Sequence, residues 1–278
     1  MSTPPSPPPR RLTDRTTLAR YRARARRQGM ADFLHEIARS EVEDRLAQIN
    51  RTFTDPVIVT GWPELWSGLH ADARILPDTE TLPLEPGAHD LIVHAMSLHW
   101  ADDPVGQIVQ CARALRPDGL FLAALPGGET LAPLRAALMQ AEAEVTGGLS
   151  PRVLPMGEIR DLGGLLSRGG LALPVADMLA QDVSYRDSFH LMRELRAMGE
   201  ANALADRLRQ PTRRAVLTRA AEIHAAQSPD PDHPGRVLAR FELIFLTGWS
   251  PADNQQKPLR PGSAKMSLAA ALNARSTS

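Results

Sequence analysis

Residues 89–125 read HDLIVHAMSLHWADDPVGQIVQCARALRPDGLFLAAL, and this stretch decides the fold. Residues 91–93 are a short, wholly apolar run, as expected of a strand buried on both faces of a parallel sheet. Asp103 then stands where a helix N-cap would, Pro104 follows, and apolar residues recur at one-face helical spacing. A Pro-Asp-Gly turn ends the helix, and residues 120–125 form a second apolar strand. The pattern predicts a right-handed βαβ unit, which places ligands at the carboxyl ends of its strands.

Length and composition indicate a globular α/β protein. The 278 residues, 43% of them hydrophobic, can form one large domain or a domain with an insertion. The 32 basic and 32 acidic residues cancel, so no global field would attract nucleic acid. With Cys111 as the single cysteine, no disulfide can form within the chain, and we expect this thiol to be a buried hydrophobe in a reducing compartment.

Pattern changes along the chain divide it into five segments. They are a disordered Pro-rich tail (1–10), an N-terminal helical segment (11–55), an α/β core (56–186), a helical insertion (187–235), and a last strand with an extended tail (236–278). The insertion is suited to a lid or a partner surface. No stretch has membrane-spanning length and no secretory signal is visible, which predicts a cytoplasmic protein that could also lie peripherally at the inner face of the membrane.

A basic run precedes the core, with five arginines at positions 20, 22, 24, 26 and 27. Such a run can contact a membrane surface or an acidic partner. A solvated helix face or arm is the interpretation we favour, because charge runs usually face water.

Sequence motifs for common hydrolase and metal chemistry are missing. There is no HExxH, no Ser/His/Asp order with a nucleophile elbow, and no Cys/His cluster, so no metal site and no catalytic residue is predicted. His94 and His99 flank the end of the central strand, where a ligand or base role is open. Packing or hydrogen bonding inside the core is the more common role of single histidines.

Several motifs together resemble a known family. SLHW followed by LRPDG, then PGGET, is similar to the class I S-adenosylmethionine-dependent methyltransferases. LMxxLxxMGExN at 191–202, a GW pair and PGSA near the end narrow the resemblance to the bacterial relatives of the mitochondrial complex I assembly methyltransferase-like proteins, one branch of which are arginine hydroxylases. The resemblance implies a Rossmann-like three-layer sandwich with seven strands, the last antiparallel, and S-adenosylmethionine as cofactor. It also implies a protein substrate or a respiratory-complex subunit as partner.

The chain departs from the family after its first strand. Such enzymes follow that strand with a Gly-rich turn whose backbone N–H groups approach the cofactor. Here residues 57–68 read VIVTGWPELWSG, in which Gly61 is followed by bulky Trp62. The segment before residue 91 is too short for two βα units, so we expect a core truncated near its first units. Trp62 and Trp66 are expected to fill the volume of a cofactor, rather than to stack on a ligand or a sulfonium.

The resemblance nevertheless implies a set of site residues. LPDTETLPL resembles the family segment ADxExLPF, which makes Asp78 the candidate adenine contact; a surface-loop acid is the alternative. The candidate cofactor-binding residues are Thr60, Gly61, Asp78, Thr79, His94, Ala95 and Met96. The candidates on the acceptor side are Gly127, Gly128 and Glu129.

The sequence therefore leaves two hypotheses for the function. The first is an S-adenosylmethionine-dependent methyltransferase with a degenerate cofactor loop and an unknown acceptor. The second is a non-catalytic binding or assembly factor that keeps the fold, the insertion and the tail because they meet a partner. An arginine hydroxylase role rests on resemblance alone, since no iron-ligand cluster is visible.

Overall fold

The computed structural model describes residues 11–255. The expected disordered tail at 1–10 and most of the expected extended tail lie outside these residues. Six strands are present: β1 (Pro56–Thr60), β2 (Arg74–Leu76), β3 (His89–Ala95), β4 (Leu115–Gly127), β5 (Ala172–Tyr185) and β6 (Val237–Trp249). Eight α-helices accompany them: α1 (Arg15–Gln28), α2 (Phe33–Gln48), α3 (Pro63–Trp66), α4 (Pro104–Ala114), α5 (Ala132–Thr146), α6 (Ile159–Arg168), α7 (Ser188–Ala197) and α8 (Arg214–Gln227).

The strands form one sheet in the order β2-β1-β3-β4-β6-β5. The first four strands pair in parallel, and β6 runs antiparallel to both of its neighbours. Every residue of β1 and β3 is buried, which explains why both strands are uniformly apolar at their centres. The expected mostly parallel sheet with an antiparallel last strand is confirmed.

Helices cover both faces of the sheet, so the expected three-layer sandwich is also confirmed. One face packs against α2, α5, α7 and α8 in the larger hydrophobic cluster. The other face packs against α4 and α6, and Cys111 lies there fully buried, as expected of a structural thiol. Burial raises the pKa of the Cys111 thiol, so it stays protonated and unreactive at neutral pH.

The βαβ unit at 89–125 forms as its sequence predicts. The Asp103 side chain accepts from the N–H of Gly106, and Pro104 opens α4. The strand after it is longer than expected: β4 begins at Leu115, and the Pro-Asp-Gly turn forms a local irregularity within the strand. Asp118 takes a left-handed backbone conformation there, with φ 62°.

The seven strands implied by the resemblance are corrected to six within residues 11–255. The thirteen-residue connection between β1 and β2 holds only the single-turn helix α3, and β2 pairs directly with β1. No further strand and helix fit into that connection, as the shortness of the sequence before residue 91 predicted. The sheet therefore ends two strands beyond β3 on this side.

α7 ends at Ala197, because Gly199 turns the chain with a left-handed φ of 75°. The N-terminal segment differs from its expected form. The basic run of the N-terminal segment forms α1, whose arginines do not all face water. Arg22 is buried, which contradicts the expected solvated face at this position.

Candidate functional site

The carboxyl ends of β1 and β3 are where the resemblance places a cofactor. Thr60 ends β1, and its hydroxyl accepts a hydrogen bond from the backbone N–H of Trp62 at 3.1 Å. Trp62 and Trp66 are completely buried directly after it. The Trp66 indole N–H donates to His35 Nδ1 at 3.0 Å. Both tryptophans therefore belong to the packed core, and the expectation that they fill the volume of a cofactor stays a prediction.

His94, near the end of β3, belongs to a closed hydrogen-bond chain. Its Nε2 lies 2.7 Å from Gln107 Oε1, and the Gln107 amide donates to the carbonyl of Thr79 at 2.9 Å. The Ser97 hydroxyl reaches His94 Nδ1 at 3.4 Å. Burial lowers the pKa of His94 to about 4, so the ring is neutral at neutral pH. Both ring nitrogens are engaged, which gives His94 a structural role and leaves it no free atom for a ligand.

Asp78, the candidate adenine contact, is bound by an arginine of this chain. Arg22 of α1 places its Nη1 atom 3.0 and 2.9 Å from the two carboxylate oxygens of Asp78. Both side chains are nearly buried, with 7% and 12% of their surfaces exposed. Asp78 is therefore not a surface-loop acid, because its carboxylate is paired with Arg22; its role as an adenine contact stays a prediction.

Two further arginines of α1 bind this helix to the segments that follow β1 and β2. Arg15 donates to Glu80 at 2.9 Å and reaches Asp78 at 3.4 Å. Arg26 donates to the carbonyl of Gly61 at 2.8 Å, pairs with Glu64, and lies 4.6 Å from the ring centre of Trp62. The arginines of α1 thus contact acidic residues of their own chain.

These contacts test whether the site fits S-adenosylmethionine. Gly61 is the one glycine at the turn after β1, and a Cβ built on it would overlap the Arg22 guanidinium. A cofactor approaching this glycine would therefore meet Arg22. With Trp62 buried below and Asp78 paired beside it, the residues present do not fit the cofactor in this arrangement.

Of the acceptor-side candidates, Gly127 is buried and Gly128 half-buried, whereas Glu129 is exposed. The N–H of Gly128 donates to the carbonyl of Gly157 at 2.9 Å, and the N–H of Glu129 donates to the Glu242 carboxylate at 2.8 Å. A Cβ on Gly127 would overlap Ile244. The adjoining residues of the chain, rather than these three, reach the cavity described next.

A cavity of about 720 Å³ lies between the carboxyl ends of the strands and the helical insertion. Its walls come from α2, α5, α7, the segment 152–156 and the strand ends. Among its apolar side chains are Leu34, Met96, Leu131, Leu134, Leu138, Val153, Phe189, Met192, Met198 and Phe241. Of the seven candidate cofactor residues, Met96 alone lines this cavity. This cavity thus lies beside the expected cofactor position rather than in it.

Glu200 is a half-buried acid of the cavity wall, with 24% of its side chain exposed. Its carboxylate accepts from the Trp100 indole N–H at 2.7 Å and lies 3.3 Å from His99 Nε2. Burial favours the neutral acid, but the hydrogen bonds from His99 and Trp100 outweigh it and lower the pKa of Glu200. His99, for which a ligand or base role was open, therefore orients a carboxylate at the wall.

Sequence reasoning missed the importance of several of these residues. The motif LMxxLxxMGExN was used as a mark of the subfamily, yet Met192, Leu195, Met198, Glu200 and Asn202 of that motif line the cavity. Its periodicity was the signal that could have identified them as a wall. Arg22 left no comparable signal, because its partner lies 56 residues away.

Within residues 11–255, no helix combines the length and the hydrophobicity that a bilayer crossing needs. In the same range, no group of three His, Cys, Asp or Glu side chains is arranged to hold a metal ion.

Comparison with known proteins gives a consistent set of relatives. A methyltransferase-domain family model matches residues 65–123, from α3 to within β4. The chain is 36% identical over 195 residues to arginine-hydroxylase NDUFAF5, mitochondrial, of Danio rerio, a match covering 70% of this chain and 60% of that protein. It is 40% identical over 182 residues to the protein of the same name in Dictyostelium discoideum, covering 66% of this chain and 41% of the relative.

A second class of relative carries a different activity in its name. Malonyl-(acyl-carrier protein) O-methyltransferase of Laribacter hongkongensis is 32% identical over 192 residues, covering 69% of this chain and 61% of that protein. The chain thus spans between about two fifths and three fifths of the length of these relatives.

Proposed function

We propose that the chain is a class I methyltransferase-like protein in which the cofactor position is closed, and that it works as a binding or assembly factor through the cavity beside that position. The buried Arg22–Asp78 pair carries this proposal. A methyltransferase must align its donor and acceptor and exclude water from the reacting atoms. Here the donor position is occupied by the protein's own guanidinium.

Energetics support a closed site. Removing one partner from a buried ion pair costs roughly 3–5 kcal/mol. A cofactor that displaced Arg22 would have to offset that cost, which corresponds to a loss of about two to four orders of magnitude in affinity. A site of intrinsic micromolar affinity would then bind with a dissociation constant of about 0.1–10 mM.

A second candidate is catalysis after displacement of α1. It is favoured by the matched methyltransferase domain and by Asp78, which still stands at the end of β2 where the resemblance expects an adenine contact. In this candidate, S-adenosylmethionine would supply the methyl group, and the acceptor would occupy the cavity. A respiratory-complex subunit as partner, which the resemblance implies, stays a prediction for either candidate.

Isothermal titration calorimetry separates the two candidates. We expect S-adenosylmethionine and its demethylated product to bind the unaltered full chain with a dissociation constant of about 0.1 mM or weaker, the limit calculated above. Arg22→Ala removes the occupant, and Arg27→Ala is the matched control, since Arg27 is exposed on the same helix and forms no salt bridge or side-chain hydrogen bond within residues 11–255.

Each outcome of the titration is decisive. Micromolar binding to the unaltered chain would overturn the closed-site proposal and favour the methyltransferase. Absence of binding to the unaltered chain and to Arg27→Ala supports the proposal, whether or not Arg22→Ala gains affinity. A gain confined to Arg22→Ala would identify Arg22 as the group that closes the site.

A further inference from the structure

Two residues of the cavity wall have strained backbone conformations. Met96 and Leu131 both have left-handed backbone conformations, with φ of 49° and 55°. They are two of four such non-glycine residues within residues 11–255. Each such conformation costs on the order of 1–3 kcal/mol and persists where its surroundings enforce it, and these conformations cluster at binding sites.

The interior of the cavity favours an aliphatic ligand. Its lining is dominated by Leu, Met, Val and Phe side chains, and its volume of about 720 Å³ is typical of a small-molecule site. The inward acid, Glu200, is already bound by Trp100 and His99. A ligand rich in hydroxyl or amide groups would leave those groups without partners, which is costly in an apolar site.

The charged side chains at the cavity are of two kinds. Arg152 is neutralised, because its guanidinium binds the Glu142 carboxylate in a nearly buried pair. Arg193 and Arg196 of α7 line the cavity, are exposed, and form no salt bridge within residues 11–255. They stand three residues apart on one helix and therefore face the same side.

A third arginine lies near this pair without lining the cavity. Arg24 of α1 is half-buried, and its Nε and Nη2 atoms lack a hydrogen-bond partner. Burial and the nearby charge of Arg196 lower the pKa of Arg24. The charge of Arg193 helps to lower the pKa of Asp187, but the Asp187 carboxylate caps α7 at His190 N and pairs with Arg186 rather than with Arg193. Clustered cations without an acidic partner are complementary to an anion.

We propose that this cavity binds a single-chain amphiphile, with its aliphatic chain between α5 and α7 and its carboxylate or phosphate head on Arg193 and Arg196. The proposal rests on the proposed function, because it names the ligand class of the same cavity. Planar guanidinium groups match both head groups, so the structure assigns the shared chemistry of an anionic head on an aliphatic chain.

Titration of the full chain with matched amphiphiles tests the proposal. Palmitate and hexadecyl phosphate carry the two head groups, hexadecanol has the same chain without charge, and octanoate has a shorter chain. We expect one-to-one binding of the two anions below their micelle concentrations. Hexadecanol should bind about 10- to 100-fold more weakly, because a charge-assisted hydrogen bond is lost.

Variants of the rim separate charge recognition from general hydrophobic adsorption. Arg193→Gln/Arg196→Gln should weaken both anions by about 10- to 100-fold and leave hexadecanol unchanged. The matched control is Arg160→Gln/Arg168→Gln, which removes two exposed cations from α6 on the other face of the sheet. Leu134→Trp places bulk inside the cavity and should abolish binding of all long chains.

The outcomes distinguish this proposal from the proposed function. Equal binding of hexadecanol and palmitate, no binding of either, or equal weakening by both double variants would overturn the amphiphile assignment while the closed cofactor site stands. Tight binding of S-adenosylmethionine to the same protein preparation would instead overturn the closed site, whatever the amphiphiles do. A preference for hexadecyl phosphate over palmitate would support the proposal and identify the head group.

Discussion

At the scale of single residues, two buried histidines make stability depend on pH. His35 and His94 are nearly or fully buried, and burial lowers the pKa of each to about 4. In the unfolded chain a histidine titrates near 6.5. Between pH 6.5 and 4 the unfolded state therefore binds protons that the folded state does not bind. The free energy of unfolding decreases as the pH falls through this window.

We expect the free energy of unfolding to decrease steeply between pH 6.5 and 4, by on the order of 3 kcal/mol for each of these histidines. Urea denaturation at pH 7, 6, 5 and 4.5 measures the decrease. His94→Gln removes one titrating group and should flatten the dependence. Curves of equal slope for the variant and the unaltered chain would contradict the assignment.

Gly61 permits a second prediction at this scale. The residue has no left-handed conformation, so alanine is compatible with its backbone, but a Cβ there would overlap Arg22. We expect Gly61→Ala to expel the Arg22 guanidinium and to destabilise the protein by roughly 3 kcal/mol, the cost of breaking a buried ion pair. Chemical denaturation measures this loss.

The matched control for Gly61→Ala is Gly164→Ala. Gly164 lies within α6 with open space around its Cβ position. Alanine there should stabilise the helix by about 0.5–1 kcal/mol. If the two variants behaved alike, the contact between Gly61 and Arg22 would have no energetic importance.

At the scale of elements, the N-terminus of α1 is capped by the carboxylate of Asp14. Asp14 accepts from the N–H and hydroxyl of Thr17, both at 3.0 Å, and from Arg207 at 2.9 Å. The hydrogen bond from the Thr17 N–H is the main cause that lowers the pKa of Asp14 to about 2. This cap fixes the helix that carries Arg22.

We expect Asp14→Ala to destabilise the protein by roughly 1–2 kcal/mol through loss of the cap. Its distinguishing effect should be faster amide hydrogen exchange confined to α1, because that helix loses its anchor to the rest of the chain. Asp103→Ala is the matched control: it removes an equivalent cap from α4 and should leave exchange in α1 unchanged. Uniform exchange changes in both variants would contradict this role of Asp14.

A comparison of α4 with α1 shows which parts of the structure could be predicted from the sequence. α4 was predicted with its cap and first residue, because Asp103, Pro104 and the apolar spacing are local signals. α1 was interpreted as a solvated arm, because a local pattern cannot show that Arg22 meets Asp78 across 56 residues. The cofactor candidates were chosen by resemblance to a motif, and the pairing that closes their site depends on tertiary packing.

At the scale of the whole molecule, one edge strand of the sheet exposes apolar side chains. β5 is the last strand in the sheet of the described residues, and it exposes 43% of Leu173, 54% of Val175 and 43% of Met178. The full chain has a formal net charge of zero, which gives little electrostatic protection against association. Exposed apolar edge strands are sites where chains add to each other.

We expect Val175→Lys to slow aggregation at pH 7, measured by light scattering at raised temperature. Leu149→Lys is the control, because it adds the same charge at a residue that is 63% exposed and outside any strand. A larger effect of Val175→Lys would assign aggregation to the edge of the sheet. Equal protection by both would assign it to net charge alone.

Arg22 belongs to the same chain as the site that it occupies, and this attachment determines its effective concentration there. A group attached to the same chain competes with a diffusing ligand at an effective concentration in the millimolar range or above. Dilution and dialysis, which free a site from a dissociable inhibitor, leave such a tethered competitor in place. Only a change in the chain itself, such as proteolytic removal of α1 before Phe33, would lower that concentration to zero and present Asp78 to solvent.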